Sequence, residues 1–118
     1  MDQGDIYKVD LALAYGKERF PRSVMIVTLK GFNEISLPFV VSIATPADPE
    51  YAARENQMQG RAGFAIPLVG CSKTQGFVLC NQIRTLDFVV RNAKYIESAP
   101  LKMVEKVIQK IITFMVKP

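Results

Sequence analysis

The sequence predicts a mainly β protein with helices, in which a small, strongly bent sheet or small barrel carries an amphipathic C-terminal helix. Short apolar runs rich in β-branched residues alternate with turns that contain Gly and Pro as far as residue 99. After Pro100 the apolar period changes to spacings of three and four. Because the chain has 118 residues, we expect one domain, spanning residues 1–118, with a single core.

The first half of the chain predicts three strands. Residues 4–11 alternate polar and apolar side chains, which is typical of a half-buried strand. Residues 12–22 contain a Gly and a Pro and are expected to form a loop. SVMIVTLKGFN, at 23–33, predicts the second strand, and FVVSIAT, at 39–45, predicts a third strand that is buried on both faces.

The second half begins with a long polar segment at 46–61, for which we expect an exposed loop with one short helical turn in EYAARENQ. GFAIPL at 63–68 contains a proline, so it belongs at a sheet edge. Further strands are expected at 76–82 and 93–99. A helix of about four turns follows, with its apolar face packed on the sheet and defined by Leu101, Val104, Ile108, Ile111 and Met115.

Composition excludes several classes of function. No apolar run approaches the roughly 18 residues of a membrane helix, and the acidic N-terminus is unlike a signal peptide, so we expect a cytoplasmic protein without membrane association. The chain has no His, and its two cysteines, Cys71 and Cys80, lack metal-site spacing, so free thiols and no metal are expected. The net charge of +4 suits a polyanionic partner without requiring one.

Three polar segments lie at strand ends or in loops: KERFPR at 17–22, the residues around Thr45, and CNQIRTLD at 80–87. A solvated loop and a turn explain the first two structurally. In the third, Asp87 or Thr85 can cap backbone amides while Arg84 pairs with Asp87. Asn81 and Gln82 fit this structural explanation least well, because adjacent strand residues face opposite sides and one amide would point inward.

These segments occur in an order that resembles the MazF/PemK toxins. The matching elements are GDIYKVDL, Gly16-x-Glu18, Arg22 opening RSVMIV, Asn33 in GFN, a strand ending near Thr45, and GFVLCNQIRTLD. GFAIPLVG together with TQGFVLCNQIRTLD is similar to the PemK, or Kid, branch. The resemblance covers essentially the whole chain, and its Q-x-R-T-x-D element is specific.

The resemblance implies a curved sheet in an SH3-like barrel and a homodimer whose groove binds single-stranded RNA. It implies a toxin of a type II toxin–antitoxin system that inhibits translation and growth as a sequence-specific, metal-independent endoribonuclease without a cofactor. A cognate antitoxin would fill the groove with its C-terminal segment and would supply DNA binding through the toxin–antitoxin complex.

Site residues follow from the same resemblance. Arg22 matches the catalytic Arg, and Thr45 is the nearest match to the catalytic Thr, although a gapless reading places Ala44 there. We expect a catalytic set of Arg22 for phosphate stabilisation, Thr45 for orientation and Glu18, or Lys17, for proton transfer. The expected RNA-binding residues are Lys17, Arg19, Asn33, Asn81, Gln82 and Arg84, supported by Asp87.

Three positions depart from the PemK branch. Lys17, Leu79 and Asn81 stand where that branch has a His, an Arg and an Asp. These departures leave open a catalytically degenerate relative that binds antitoxin and nucleic acid without cleaving. A gyrase poison similar to the CcdB toxins is a further alternative, which the ending TFMVKP disfavours because it lacks their aromatic-rich terminus.

Overall fold

The structure is a computed structural model that describes residues 1–12, 19–48 and 63–117, except for the side chains of residues 12, 19 and 20. Within these residues the strands are β1 (Asp5–Ala12), β2 (Arg19–Ile26), β3 (Phe39–Ala44), β4 (Ala65–Pro67), β5 (Phe77–Thr85) and β6 (Lys94–Ser98). The helices are α1 (Lys30–Asn33) and α2 (Leu101–Met115). The predicted class, mainly β with helices, is confirmed.

All strand pairs are antiparallel, and the sheet order is β4-β5-β3-β2-β1-β6. β3 lies inside the sheet, and residues 40–44 are all buried, which confirms the prediction of burial on both faces. Alternate side chains of β3 enter different apolar clusters. One cluster contains Ile6, Met25, Val41, Ile43, Val78, Cys80, Met103 and Val107; the other contains Val9, Leu11, Val24, Ile26, Val40, Leu86 and Phe88.

α2 packs on the sheet as predicted, but the buried stripe differs from the predicted one. Met103, Val104 and Val107 are the buried residues of α2, whereas Leu101 is 72% exposed and Met115 66%. The first half of the helix lies against the sheet, and its last residues are exposed. The packing is close, since a Cβ at Gly4 would lie 2.5 Å from a methyl carbon of Val104.

The predicted loop at 12–22 is wrong at its end, because β2 begins at Arg19 and includes Pro21. Pro21 pairs with Asp10, whose amide donates away from β2 to the carbonyl of Arg91 at 2.9 Å. This pair is therefore a non-hydrogen-bonded one, and the Pro21 nitrogen faces away from β1. Recorded pairing between β2 and β3 starts only at Ser23, so the missing N–H removes no ladder bond.

The predicted strand at 23–33 is also too long, because β2 ends at Ile26 and α1 occupies Lys30–Asn33. The side-chain nitrogen of Asn33 donates to the carbonyls of Thr28, at 3.0 Å, and Met1, at 3.3 Å. The Thr28 hydroxyl accepts from the Phe39 amide at 3.1 Å. These bonds turn the chain between β2 and β3. Asn and Thr side chains typically compete with the hydrogen bonds of a strand by bonding to the nearby backbone.

The remaining predictions for individual elements have mixed outcomes. The short strand β4 lies at the sheet edge as expected, and β5 continues to Thr85, three residues beyond the predicted end at Gln82. The expected helical turn in EYAARENQ lies outside the described residues.

Cys71 and Cys80 are free thiols as predicted, and burial raises the pKa of Cys80 to about 11. Among the described helices, none is long and apolar enough to cross a membrane.

Gly76 allows β3 and β5 to approach closely. Its φ is +150°, and a Cβ there would lie 2.0 Å from the Ala44 carbonyl oxygen. We expect Gly76→Ala to lower the free energy of unfolding by at least about 3 kcal/mol, because a side chain meets both backbone strain and a backbone clash. Urea unfolding measures this loss.

Gly31→Ala is the matched control, since nothing lies within 4 Å of a Cβ at Gly31. Its unfolding free energy should change by less than about 1 kcal/mol. Equal stability of the two variants would contradict the proposed close approach at Gly76.

Candidate functional site

The polar end of β5 is built on an irregularity in its pairing with β3. Val41 pairs with Ile83 and the next residue, Ser42, pairs with Leu79. Residues 80–82 therefore have no counterpart on β3, which makes a large bulge. Strict alternation along a strand would point one of the side-chain amides of Asn81 and Gln82 inward. In the bulge this alternation is interrupted, and Asn81 is exposed while Gln82 is half-buried. Bulges bend strands and redirect side chains next to functional sites.

Beyond the bulge, Arg84 is exposed on β5 and Asp87 begins a turn. The Asp87 carboxylate accepts from the amides of Val89, at 3.1 Å, and Val90, at 3.3 Å. Its carbonyl accepts from the Arg91 amide at 3.0 Å. Asp87 thus has the amide-capping contacts considered in the structural explanation, and it orders the chain that follows the polar segment.

A second polar group forms where β3 ends, and it joins the predicted residues Arg22 and Thr45 through Asp48. Asp48 Oδ2 accepts from the Thr45 amide, at 2.7 Å, and from the Thr45 hydroxyl, at 3.0 Å. Asp48 Oδ1 lies 3.9 Å from Nη1 of Arg22. Both charged side chains are largely removed from solvent, with 8% exposure for Arg22 and 10% for Asp48. Burial strengthens the electrostatic coupling between them.

Asp48 was not among the site residues predicted from the sequence. Its amide donates to the Thr45 carbonyl at 2.9 Å, closing a turn over Thr45-Pro46-Ala47-Asp48. Pro at the second position and a hydrogen-bonding side chain at the first are ordinary turn signals. The sequence of these four residues therefore predicts a turn. Its contact with Arg22 depends on how β2 and β3 are placed, which the local sequence does not encode.

A cavity of about 410 Å³ adjoins this turn. Its polar lining combines Ser23, Thr45 and Asp48 with Lys73 and Thr74 from the segment before β5, and Lys8 also lines it. Two lysines and several hydroxyls in one concave surface suit a ligand with phosphate and sugar oxygens. Among the described residues, Arg22 does not itself line this cavity, and neither do Asn81, Gln82 and Arg84.

Glu97 of β6 holds the segment that forms one wall of the cavity. Its carboxylate accepts from the amides of Ser72, at 3.1 Å, and Lys73, at 2.9 Å, and from the Thr74 hydroxyl at 2.8 Å. Burial raises the pKa of Glu97, but the hydrogen bonds from Thr74, Lys73 and Ser72 outweigh it, and the net pKa is lowered. The ionised form of Glu97 therefore fixes this wall.

The positions that depart from the PemK branch have different surroundings. Leu79 is completely buried and packs in one apolar cluster with Ala44, Ala65 and Phe77. An ionised group at position 79 would need a partner to occupy this environment. Asn81, by contrast, is exposed and has room for an ionisable side chain.

The other predicted site residues considered next either have a structural role or are not fully described. Asn33 makes the hydrogen bonds that close the chain around α1, which is a structural use of its side chain. Lys17 and Glu18 lie outside the described residues, and for Arg19 only the backbone is described. The structure therefore brings together Arg22, Thr45 and the unpredicted Asp48.

The fold agrees with comparisons to known proteins. The chain belongs to the family of PemK-like, MazF-like toxins of type II toxin–antitoxin systems, whose model matches residues 2–115. Endoribonuclease PemK of Escherichia coli is 32% identical over 118 residues, covering 98% of this chain and 82% of the relative. These findings confirm the family predicted from the ordered motifs.

Solved structures share the fold. A MazE–MazF structure (Form-II) from Deinococcus radiodurans matches with a TM-score of 0.76 and 19% identity, covering 98% of this chain and 95% of that one. An endoribonuclease in complex with its cognate antitoxin, from a mycobacterial species, matches with a TM-score of 0.70 and 18% identity, covering 100% and 97%.

The contacts of Glu97 predict a pH-dependent contribution to stability. Because folding lowers its pKa, the contribution is present above the unfolded pKa of about 4.3 and is lost as pH falls through the lower folded value. Relative to the native chain, Glu97→Gln should lose about 1 kcal/mol of unfolding free energy at pH 7, a modest loss because the site is partly exposed.

Chemical unfolding of both proteins between pH 7 and about pH 3 measures the difference. The gap should shrink below about pH 4. Glu34→Gln, which removes an exposed carboxylate elsewhere, controls for net charge. A gap that stayed constant down to the lowest pH would show that the ionised carboxylate is not responsible.

Proposed function

We propose that this chain is a toxin that cleaves single-stranded RNA at specific sequences, without a metal ion or other cofactor, in the cytoplasm. The observation that carries the proposal is the buried arrangement of Arg22, Asp48 and Thr45, of which Asp48 and Thr45 line a polar cavity. Family membership and the named activity of the relative PemK support it. Cleavage of mRNA would inhibit translation and growth.

The chemistry needs few protein groups, because RNA supplies its own nucleophile. The ribose 2′-hydroxyl attacks the adjacent phosphorus in line, a proton leaves that hydroxyl, and the 5′-oxygen departs with a proton. Arg22 stabilises the negative charge that develops on the phosphate oxygens. Thr45 orients an oxygen of the reacting group, and Asp48 joins Glu18 and Lys17 as a candidate for proton transfer.

RNA binding is assigned to two surfaces. Lys8 and Lys73 of the cavity and the predicted Lys17 and Arg19 supply charge for backbone phosphates. The side-chain amides and the guanidinium group on β5 contact the unstacked bases of single-stranded RNA. The set on β5 comprises Asn81, Gln82 and Arg84, and its exposure beyond the bulge supports this role.

The proposed assembly is a homodimer that a cognate antitoxin inactivates, with DNA contacted only through the toxin–antitoxin complex. The mycobacterial endoribonuclease in complex with its cognate antitoxin supports inactivation by an antitoxin. Exposed apolar residues support the homodimer, since contiguous exposed apolar surface is typical of an interface. They lie around α1, at Leu29, Phe32, Ile35, Leu37 and Phe39, and at the end of α2, at Ile112, Phe114, Met115 and Val116.

A second candidate is a binding protein that retains the partners and has lost cleavage. The burial of Leu79 in an apolar cluster favours it, because that position then provides no catalytic group. The PemK relative favours the enzyme. A direct cleavage assay separates the two candidates.

We expect the purified protein to cleave a long single-stranded RNA in the presence of EDTA. Arg22→Lys keeps the charge but loses the planar fork, and should reduce the cleavage rate by about 100-fold; Arg22→Gln should reduce it by at least that factor. Gel analysis of the products under single-turnover conditions measures the rates.

Lys30→Gln removes an exposed positive charge elsewhere and should leave the rate within about twofold. Circular dichroism checks folding, because removing one partner of a buried ion pair is destabilising. A folded Arg22→Gln protein that cleaves as fast as the native chain would sink the assignment, and no cleavage by the native chain would favour the binding protein.

Asn81→Asp tests whether the altered position limits activity. The side chain is exposed, so a carboxylate fits there without burial. If Asn81 is the limiting departure, cleavage should rise by about 10-fold or more, the scale of a positioned acid or base.

Leu79→Arg is the contrasting variant, because it places a charge in the apolar cluster and should destabilise the fold by about 3 kcal/mol or more. Unchanged cleavage by Asn81→Asp would show that proton transfer is performed elsewhere, with Asp48 and Glu18 as the remaining carboxylates.

A further inference from the structure

Two threonine hydroxyls in the cavity of about 410 Å³ have their hydrogen atoms held by carboxylates. Thr74 Oγ1 donates to Glu97 Oε2 at 2.8 Å. Thr45 Oγ1 donates to Asp48 Oδ2 at 3.0 Å. A hydroxyl group has one hydrogen to donate and two lone pairs that accept, whereas a carboxylate only accepts. Toward a ligand in the cavity, both hydroxyls are therefore hydrogen-bond acceptors.

The hydrogen bond from Thr74 to Glu97 is fixed by its surroundings. Thr74 is only 8% exposed. Glu97 also accepts from the amides of Ser72 and Lys73, so its carboxylate cannot turn away without breaking three hydrogen bonds. Burial raises the pKa of Glu97, but these hydrogen bonds outweigh it and lower the net pKa. Near neutral pH Glu97 is therefore ionised and has no hydrogen to donate to Thr74.

We propose that Thr74 is a specificity-determining residue that accepts a hydrogen bond from RNA, given by a ribose 2′-hydroxyl or by an exocyclic amino group of a base. Glu97 is the positioning residue that keeps Thr74 an acceptor. The inference rests on the proposed binding of RNA in this cavity. Because Thr45 is assigned to the reacting group, the donor for Thr74 belongs to a flanking nucleotide. Lys8 and Lys73 line the same cavity and have only hydrogens to donate, so they suit phosphate oxygens.

An acceptor held in this way discriminates between nucleotides. A nucleotide without a donor at this place leaves the lone pairs of Thr74 without a partner, and one that presents an acceptor meets repulsion. The 2′-hydroxyl is the group that lets a protein distinguish RNA from DNA. Adenine, cytosine and guanine carry an exocyclic amino group, whereas uracil does not. Thr74 would therefore select ribose over deoxyribose, or an amino-bearing base over uracil.

The test measures binding of the full chain to short, fluorescent single-stranded RNAs that contain the sequence cut by the native chain. A deoxyribose at the nucleotide whose hydroxyl would attack makes these probes resistant to cleavage. One series replaces each remaining ribose in turn by deoxyribose. A second series replaces each amino-bearing base by its counterpart without the amino group, such as inosine for guanosine. Fluorescence anisotropy should show binding weakened by about 5- to 10-fold for one substitution, and the series in which it occurs identifies the donor.

Thr74→Val removes the hydroxyl with little change in volume. It should weaken binding of the unsubstituted probe by about 5- to 10-fold. The identified substitution in the RNA should then weaken binding by less than about twofold more, because both changes remove the same contact. Thr74→Ser keeps the hydroxyl and should retain the native penalty. Glu97→Gln should reduce the penalty, because a side-chain amide can donate to Thr74 and release its hydrogen.

Thr113→Val is the matched control, because it removes an exposed hydroxyl of α2 that does not line the cavity. It should bind every probe within about twofold of the native chain. Circular dichroism establishes that the variants are folded. If Thr74 had only a structural role, Thr74→Val would weaken all probes by one factor and leave the penalty of the identified substitution intact, and that result would overturn the inference.

The native chain alone provides a second test that needs no variant, since the inference is also wrong if no single substitution weakens binding. Cleavage of unmodified RNA is measured separately, so cleavage without such a penalty overturns the inference and leaves the proposed function standing. If the native chain cleaves no RNA, the proposed function fails, and the probe becomes an RNA selected from a random pool for binding to the native chain. The same substitutions then decide, and failure to select any RNA overturns the inference as well.

Discussion

The approach of the Gly76 backbone to the carbonyl of Ala44 is the constraint on which the arrangement of the site depends. It lets β5 begin beside the last residue of β3, where only hydrogen fits on the α-carbon. β3 then ends at Ala44, and the turn closed by Asp48 starts at once with Thr45. A looser junction would move the carboxylate away from β2, and the charged pair at the end of the sheet would be lost.

The sequence predicted the fold better than the site because the two depend on different ranges of interaction. The spacing of the apolar residues identified most strands and the terminal helix, because this spacing reflects which face of each element is buried. Arg22 and Thr45 came from a family resemblance, and the structure brings both to Asp48. The Asp48 contact and the bulge at Asn81 and Gln82 depend on pairing between distant segments, which local patterns do not specify. For the same reason the early start of β2 was missed.

The departure at Leu79 is physically connected to Ala44. Leu79 and Ala44 belong to different strands, yet they share one buried apolar cluster, so the apolar character of each suits the other. A lone charge or hydroxyl introduced at either position would meet an environment that solvates it poorly. The same sequence keeps polar groups a few residues away, at Thr45 and Asp48. The ionisable chemistry of this end of the sheet is therefore concentrated in a turn, where the two side chains are held by hydrogen bonds.

This concentration affects how Arg22 can act on a phosphate. Its Nη1 is 3.9 Å from Asp48, longer than the roughly 2.8 Å of a charge-assisted hydrogen bond. At that separation Asp48 compensates the buried guanidinium charge, and a phosphate oxygen at closer range would interact with it more strongly. In the proposed cleavage of RNA, the negative charge that grows on the phosphate during in-line attack would shift this balance further from the carboxylate to the phosphate.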